Sequence, residues 1–256
     1  MEHLDIVPDF LAEPGVEIGA FKTPIPGIRP TYVDCFREFA NEPTKADFLG
    51  SATDLPFHDS SLRYVASSHV IEHVANPLAA FREWYRVLRH GGVIYMVVPD
   101  RRLTWDHPRP LTSVEHSIED FRRGVTQVDG THIDDFTFGV DWSQFSPDTP
   151  ADSVDAERQA TAERFRAAIA GGNEINIHFH TYEPDSMARL VTAADTVLGL
   201  AGGISIERVL PEFPSSNPIG FLVIARVRKS ARERLGGASA RHLGRRAPLR
   251  ADARPL

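Results

Sequence analysis

Short apolar runs separated by polar turns dominate the first hundred residues. Five runs have the length of buried strands: PGVEIGA (14–20), TYVDCF (31–36), ADFLGSA (46–52), LRYVASSHV (62–70) and GGVIYMVVPD (91–100). Between the last two, apolar residues recur at helical spacing in NPLAAFREWYRVLRH (76–90), where Pro77 suits the first turn and Arg89 and His90 suit the last. Strands that alternate with helices in this way predict βαβ units and a parallel sheet.

The C-terminal part of the chain completes this pattern. A helix is expected over 183–199, followed by strands at ISIERVLPEF (204–213) and GFLVIARVRK (220–229), which a Pro/Ser/Asn-rich turn joins. The predicted fold class is α/β, a Rossmann-like, mostly parallel sheet with helices on both faces and a closing antiparallel β-hairpin. One domain spans residues 1–229 in this prediction, and the first residues form a short capping segment.

Residues 101–180 interrupt the alternation and predict a substrate cover inserted into the domain. A helix is expected over 112–123, a long polar loop over 124–150, and an amphipathic helix over 152–172. The insertion follows the fifth strand and therefore starts at the carboxyl edge of the sheet. Open α/β folds bind their ligands at that edge.

Charge is unevenly distributed along the chain, and this distribution limits the classes of partner that we expect the protein to bind. The net charge is −7, but residues 229–256 hold eight Lys/Arg and two acids, a local +6 that leaves −13 for the rest of the chain. An acidic body is a poor match for a polyphosphate backbone, so we expect a small-molecule substrate and no nucleic acid. The basic tail (230–256) has little apolar periodicity and is expected to be flexible.

The cysteine count and the N-terminus indicate a cytoplasmic protein. Cys35 is the only cysteine, so the chain can form no internal disulfide. The N-terminus has acids and prolines where a signal peptide would have basic and then apolar residues. No run approaches the roughly 18 apolar residues of a membrane helix, and no membrane partner is predicted. A homodimer is compatible with these features.

Three predicted loop tips carry residue types that bind a nucleoside. Gly19 after the first strand lets the backbone approach a ligand, and Asp34 at the end of the second strand can accept both ribose hydroxyls. The loop SATDLPF (51–57) after the third strand can cover a base. We expect the three tips to converge into one cradle.

These motifs resemble class I S-adenosylmethionine-dependent methyltransferases of the ubiquinone-biosynthesis-like, methyltransferase type 11 group. The resemblance is carried by GVEIGA, YVDCF, ATDLPFHDSSLRYVASSHVIEHVANP and FREWYRVLRHGGVIYMVVPD, and it covers about residues 14–100. The continuation PDRRLTWDHPRPLTSVEH is similar to a bacterial subgroup found among sugar and natural-product enzymes. The resemblance implies S-adenosylmethionine as cofactor and S-adenosylhomocysteine as product. It also implies methyl transfer to a small polar metabolite, with O-methylation of a sugar or natural-product scaffold preferred.

The resemblance also implies cofactor-binding roles. Glu17 and Gly19 would hold the methionine end, and Asp34 would hold the ribose. Ala52 and Thr53 would contact the adenine. Ser68 and His69, at the end of the fourth strand, would line the floor beneath the sulfonium methyl. The complete implied set is Glu17, Gly19, Ala20, Phe21, Asp34, Cys35, Ala52, Thr53, Leu55, Ser68 and His69.

The first turn departs from the family pattern. Phe21 and Lys22 occupy positions where further glycines are usual, and only about ten residues separate Gly19 from the second strand. That is too few for a normal crossover helix. Ser51 occupies the position where an acid often meets the adenine amino group.

Histidines are the candidates for a general base, because imidazole titrates near neutral pH and can take a proton from a hydroxyl. The predicted catalytic residues are His116, His180 and His69. In INIHFHTYEP, His178 and His180 would share one face if the segment is extended. The pair also suggests a metal site, but no tight His/Cys set accompanies it, and no metal is predicted.

The substrate-binding candidates are mainly charged residues at the carboxyl edge of the sheet: Arg101, Asp106, Arg109 and His178. Their predicted role is to hold a polar or anionic substrate. A solvated loop would show the same composition, and both interpretations stay open.

Three alternative functions are compatible with the same fold. A cofactor-binding or regulatory protein without turnover would explain the altered glycine turn. A nicotinamide-dependent oxidoreductase would need a GxGxxG turn, which the chain lacks. An enzyme that uses the sulfonium for a reaction other than methylation would differ only in its product.

Overall fold

The computed structural model describes residues 1–39 and 42–234, and it is built on one seven-stranded sheet. The strands are β1 (Gly15–Ile18), β2 (Thr31–Asp34), β3 (Phe48–Leu49), β4 (Leu62–Ser68), β5 (Leu88–Pro99), β6 (Ile204–Leu210) and β7 (Gly220–Val227). Their order across the sheet is β3-β2-β1-β4-β5-β7-β6. Strand β7 is antiparallel to both of its neighbours, and the other pairs are parallel. This arrangement confirms the predicted fold class and the closing antiparallel pair.

Seven α-helices that lie entirely within the described residues accompany the sheet, and residues 231–234 are also helical. The seven helices are α1 (Val7–Phe10), α2 (Pro77–Val87), α3 (Val114–Arg123), α4 (Gly130–Gly139), α5 (Trp142–Phe145), α6 (Val154–Ala170) and α7 (Pro184–Val197). Between β2 and β3, the segments Glu38–Phe39 and Glu42–Pro43 pair as a short antiparallel ribbon.

The crossover helix α2 ends earlier than its sequence pattern predicts. Asn76 caps its first turn by accepting a hydrogen bond from the Ala79 N–H at 3.0 Å, as its position before Pro77 suggests. The predicted last-turn residues Arg89 and His90 belong instead to β5, which starts at Leu88. Pairing of Leu88 with β4 extends the strand and overrides helix propensity at this point.

The two faces of the sheet are covered in different ways. Helices α2 and α7 pack on one face through side chains such as Trp84 and Leu190. The N-terminal segment and the β1–β2 connection cover the other face, where Ile6 and Ile25 contact the cluster around Tyr95. The connection between β1 and β2 contains no helix, as its short length predicts.

The cover between β5 and α7 has a hydrophobic core of its own. The prediction of a polar loop over 124–150 was wrong, because this stretch holds α4 and α5, each capped by an aspartate side chain. Its apolar side chains, among them Ile133, Phe136 and Trp142, pack with Ala162 of α6. Sequence periodicity missed these helices because they are short and their apolar stripe is completed by a distant helix.

Two further features concern membranes and the tail. Across residues 1–39 and 42–234, no helix combines the length and the apolar character needed to cross a bilayer. The predicted flexible tail (230–256) falls from residue 235 onward outside the described residues.

Candidate functional site

Two adjoining cavities open at the carboxyl ends of β1, β2 and β4, and we call them together the edge cleft. The first has a volume of about 430 Å³ and runs from the loop after β3 to the cover. The second has a volume of about 270 Å³ and lies over the β1 turn and the end of β4. Both are lined by Gly19, Asp34, Cys35, Val70 and His73. The loop tips after β1 and β2 therefore converge as predicted, and the β3 tip joins them in the first cavity.

Gly19 lets the chain turn sharply at the floor of the edge cleft. Its φ is +66°, and a Cβ placed there would lie 2.7 Å from Cγ2 of Val70. A side chain at this position would therefore both strain the backbone and collide with the wall. Phe21 also adopts a left-handed conformation, with φ +45°, although a glycine would do so at lower cost.

Glu17 presents a buried carboxylate at the second cavity. The residue is 1% exposed, and its Oε1 accepts a hydrogen bond from the Ile25 N–H at 2.8 Å. Its Oε2 has no hydrogen-bond partner within the described part of the chain. Burial raises the pKa of Glu17 to about 7. Such a carboxylate is arranged to receive a cationic group of a ligand.

Asp34 ends β2 and faces both cavities. Its Oδ1 accepts a hydrogen bond from the Phe36 N–H at 2.9 Å, which fixes the carboxylate at the turn. Burial raises its pKa above the usual range for aspartate. The side chain of Glu17 lies on the neighbouring parallel strand, so two acids line one wall of the edge cleft.

Helix α2 holds the loop that follows β3. The Trp84 indole N–H donates to the Ala52 carbonyl at 3.0 Å, and Glu83 Oε1 accepts from the Leu55 N–H at 2.7 Å. Ala52 and Thr53 line the first cavity, as predicted. Leu55 lines neither cavity, because its side chain is buried in the main core, and its predicted contact with a ligand is corrected accordingly.

His69 forms part of the wall of the second cavity together with Ser68. Its backbone is left-handed, with φ +53°, which turns the chain after β4. Burial, aided by the charge of His178, lowers the pKa of His69 to about 4. The ring is therefore neutral at physiological pH.

The other two predicted bases, His116 and His180, meet each other on the cover. Their ring centroids are 5.5 Å apart, and His132 lies 5.1 and 5.2 Å from them. None of the three lines the edge cleft, and His116 borders a separate cavity of about 520 Å³. The structure thus separates His69 from the other two predicted bases.

The predicted substrate residues form an internal network instead of an open surface. The Arg109 guanidinium is fully buried and donates to Asp106 Oδ1 at 2.6 Å, and His178 Nδ1 lies 2.5 Å from Asp106 Oδ2. Asp106, Arg109 and His178 are buried and bind one another, so the structure corrects their predicted exposure to substrate. The Arg101 side chain is 22% exposed and pairs with Glu183 at 2.9 Å instead.

His178 and His180 do not share one surface, although they are two residues apart. His178 contacts Asp106, whereas His180 lies beside His132. The segment is not a paired strand here, and its backbone curves around the Glu72 carbonyl, which accepts hydrogen bonds from the Phe179 and His180 N–H groups.

Several lining residues were not identified from the sequence. The cover and α2 contribute mixed aromatic and polar side chains to the first cavity, and Asn176 with two threonines contributes to the second. These residues are Asn76, Arg82, Phe121, Gln127, Glu174 and Phe179 in the first cavity, and Thr23, Thr44 and Asn176 in the second. Only Asn76 carried a local signal, as a helix cap before Pro77, because the others meet solely through tertiary packing.

Comparison with known proteins relates part of the chain to one family. Residues 27–96 match the family described as methyltransferase domain. This match supports the predicted class of enzyme, and the matched family implies S-adenosylmethionine as its cofactor.

A curated relative and several solved structures are similar to this chain. An uncharacterized 37.1 kDa protein of a Streptomyces fradiae transposon is 34% identical over 105 residues, which are 37% of this chain. The chain spans only 30% of the length of that relative. A methyltransferase structure from Methanosarcina mazei is 16% identical over 90% of this chain and 100% of its own, with a TM-score of 0.46. One from Thermotoga maritima is 17% identical over 89% and 88%, with a TM-score of 0.45.

Proposed function

We propose that this protein binds S-adenosylmethionine in the edge cleft and transfers its methyl group to a small polar metabolite. The observation that carries the proposal is the pair of buried carboxylates, Glu17 and Asp34, on neighbouring strands at one wall of the cleft. In this proposal Glu17 binds a cation and Asp34 accepts hydroxyl groups. A cofactor with an ammonium group and a ribose requires both.

The residues present fit the cofactor part by part. Glu17 Oε2, which is buried without a partner, would receive the ammonium group, and Asp34 would accept the ribose hydroxyls. The backbone at Gly19 leaves room that a Cβ would fill. The loop at Ala52 and Thr53 would flank the adenine in the first cavity. When bound, the cofactor supplies an electrophilic methyl group on a sulfonium.

The acceptor would bind in the second cavity, beside Ser68 and His69. Hydrogen-bonding side chains line this space, among them Thr23, Thr44 and Asn176. Such groups suit a hydroxylated molecule, which supports O-methylation of a sugar or a natural-product scaffold. The pKa of His69, lowered to about 4, keeps its ring neutral at physiological pH, so the ring can accept a hydrogen bond from the acceptor hydroxyl but is only a weak base.

A small-molecule acceptor is favoured over nucleic acid because the body of the chain is acidic. The same proposal assigns no membrane partner. A homodimer and a cytoplasmic location remain predictions from the sequence.

Calorimetric titration and a transfer assay test this function. The full chain should bind S-adenosylmethionine and S-adenosylhomocysteine with one site each, and methyl-labelled cofactor should label hydroxylated acceptors from a panel of sugars and glycosides. Absence of binding by both nucleosides would refute the proposal. The conservative control is Asp59→Asn, an exposed acid away from the cleft, which should bind both ligands normally.

A second candidate is a cofactor-binding protein without turnover. Phe21 in a left-handed conformation, where the family usually has glycine, favours it. Tight binding of S-adenosylhomocysteine without label transfer to any acceptor would support this candidate. Products other than methylated acceptors would indicate a different use of the sulfonium.

A further inference from the structure

Three histidines and one aspartate converge inside the cover, and we call them the histidine cluster. His116 and Asp120 lie one turn apart on α3, His132 lies on α4, and His180 lies just before α7. His116 Nε2 is 3.2 Å from His132 Nε2 and 3.1 Å from Asp120 Oδ2. One ring nitrogen from each of the three histidines lies within 4.8 Å of the other two.

His132 and Asp120 both present lone pairs to this cluster, because the N–H of the His132 ring points away from it. His132 Nδ1 is 3.0 Å from Asp129 Oδ1, so Nδ1 carries the proton and Nε2 presents a lone pair. Asp120 Oδ2 is buried and lies 3.1 Å from His116 Nε2 and 3.9 Å from His132 Nε2. His116 Nε2 is thus within hydrogen-bond distance of both acceptors, and either its proton or a bound cation can bridge them.

His180 reinforces this arrangement from the opposite side. It is 1% exposed, and within residues 1–39 and 42–234 neither ring nitrogen forms a hydrogen bond of good geometry, although the ring interacts with the Ala75 backbone. Buried polar groups without partners are rare in folded proteins and indicate an unseen water, ion or ligand. The His132 side chain, at 3% exposed, is enclosed to a similar degree.

We propose that the histidine cluster is a binding site for a divalent transition metal, with Zn²⁺ as the ion that best fits its donors. Imidazole nitrogen lies about 2.0–2.1 Å from Zn²⁺, so two donors of a tetrahedral site are about 3.3 Å apart. The observed separations of 3.2 and 3.1 Å are close to that value. Three imidazoles suit zinc, iron or cobalt and not calcium or magnesium, and Asp120 offers a carboxylate oxygen close to His116 and His132.

Asp129 completes the site as a positioning residue. Metal-binding histidines usually donate their second N–H to a carboxylate or carbonyl, which fixes the ring and its tautomer. Asp129 performs this for His132, and it also caps α4 by accepting hydrogen bonds from the Thr131 and His132 N–H groups. The Asp129 carboxylate therefore holds both the start of α4 and the ring of His132, one of the proposed metal-binding residues.

The site has an accessible side. The His116 side chain is 41% exposed and borders the 520 Å³ cavity on the cover together with Thr112 and Glu119. An ion bound here could take a water or a substrate oxygen from that cavity. Phe179 lines both this cavity and the first cavity of the edge cleft, so the two sites are neighbours and remain distinct.

A second group, Glu72, His73 and His178, offers a comparison for the experiment. In this group His73 Nε2 lies 3.6 Å from Glu72 Oε1, and His73 lines the edge cleft. Because this group is looser and its His178 is bonded to Asp106, we assign the metal to the histidine cluster.

Metal content measured on the full chain, made without a histidine tag, tests the proposal. Protein stripped with a chelator and dialysed against Zn²⁺ should retain one equivalent by mass spectrometry, and Co²⁺ should give the visible absorption of a tetrahedral nitrogen-rich site. His116→Gln and His132→Gln should lower the Zn²⁺ affinity by at least about 100-fold. Asp129→Asn should lower it by roughly 10- to 100-fold. His107→Gln, a partly exposed histidine of the cover, should leave it unchanged.

The outcomes separate the proposal from its rivals. Retention of the tight equivalent in His116→Gln would overturn it, as would its loss in His178→Gln alone or its absence from the wild type. Because His116 is partly exposed, its variant should stay folded, and circular dichroism checks this. S-adenosylhomocysteine titrated into His116→Gln should still bind, so a failure at the edge cleft is distinguishable from a failure at the histidine cluster.

Discussion

Asn76 donates its side-chain amide to the Asp120 carbonyl at 3.2 Å, and this bond joins the crossover helix to the cover. The same amide donates to the Val125 carbonyl at 3.1 Å, while its oxygen caps α2. One buried side chain therefore fixes α2, the end of α3 and part of the lining of the edge cleft.

Replacement of Asn76 should destabilise the protein. Asn76→Ala removes the cap of α2, worth about 1 kcal/mol, and takes the side-chain donor from two backbone carbonyls, of which that of Asp120 keeps its bonds from the Gly124 and Val125 N–H groups. We expect the free energy of unfolding in urea to fall by about 2–4 kcal/mol. Asn76→Ser keeps a capping oxygen but is too short to reach the cover, so its loss should be smaller. Equal unfolding midpoints for wild type and Asn76→Ala would contradict the role of this residue.

Asp34 should contribute to cofactor affinity through the ribose hydroxyls. Asp34→Ala should weaken S-adenosylhomocysteine binding by about 1–3 kcal/mol, roughly 5- to 150-fold, in a calorimetric titration. The variant also loses the bond from the Phe36 N–H, so its unfolding curve should be recorded in parallel. Unchanged affinity in a folded variant would show that the ribose is bound elsewhere.

The raised pKa of Glu17 predicts that the stability of the free protein and its affinity for a cationic ligand depend on pH with opposite signs. The carboxyl of Glu17 has a pKa near 4.5 in the unfolded chain and about 7 in the folded protein. Between these two pH values the unfolded state binds fewer protons than the folded state. The stability of the ligand-free protein therefore falls as the pH rises. A cationic ligand prefers the ionised carboxylate and reverses the trend for binding. S-adenosylhomocysteine affinity should therefore rise roughly 10- to 30-fold from pH 5.5 to 7.5.

Glu17→Gln is the matched variant for that pH dependence. Its amide oxygen can still accept the hydrogen bond from the Ile25 N–H, so the turn should keep its shape. Affinity should be low and nearly independent of pH in this variant. A slope equal to that of the wild type would assign the titration to another group.

Gly19→Ala should damage the edge cleft more than it damages the fold. The new Cβ would meet Val70 at 2.7 Å, and the left-handed φ costs an alanine about 1–2 kcal/mol. Binding of S-adenosylhomocysteine should fall at least tenfold while the far-ultraviolet spectrum stays native. Addition of Val70→Ala relieves the collision but not the backbone strain, so it should restore affinity only in part. Full affinity in the single variant would show that the turn can relax.

Two arginines near β5 should differ sharply in their effect on stability. Arg109→Ala leaves the buried Asp106 with His178 as its remaining partner, and loss of one partner of a buried pair costs about 3–5 kcal/mol. Arg102→Ala removes an ion pair whose arginine is 55% exposed, and the expected cost is under about 1 kcal/mol. Thermal unfolding of both variants measures the contrast. A similar loss in the two would mean that the Arg109 network contributes little.

The local sequence determined the elements of the sheet and the residues at their ends. Apolar runs located the seven strands of the main sheet, and the positions of Glu17, Gly19 and Asp34 relative to those runs placed them at one edge. Short-range patterns suffice here because each buried parallel strand is a continuous apolar run, and the carboxyl ends of such strands meet. The missing crossover helix after β1 was also evident, since it follows from chain length alone.

Only the tertiary structure decided the partners of the charged and histidine side chains. Arg109 and Asp106 looked like a surface for substrate, but the cover encloses them as an ion pair. No sequence pattern identified His132 as a candidate site residue, yet it lies 3.2 Å from His116 because α3 and α4 come together. Packing between elements that are distant in sequence sets these contacts, and no local periodicity encodes that packing.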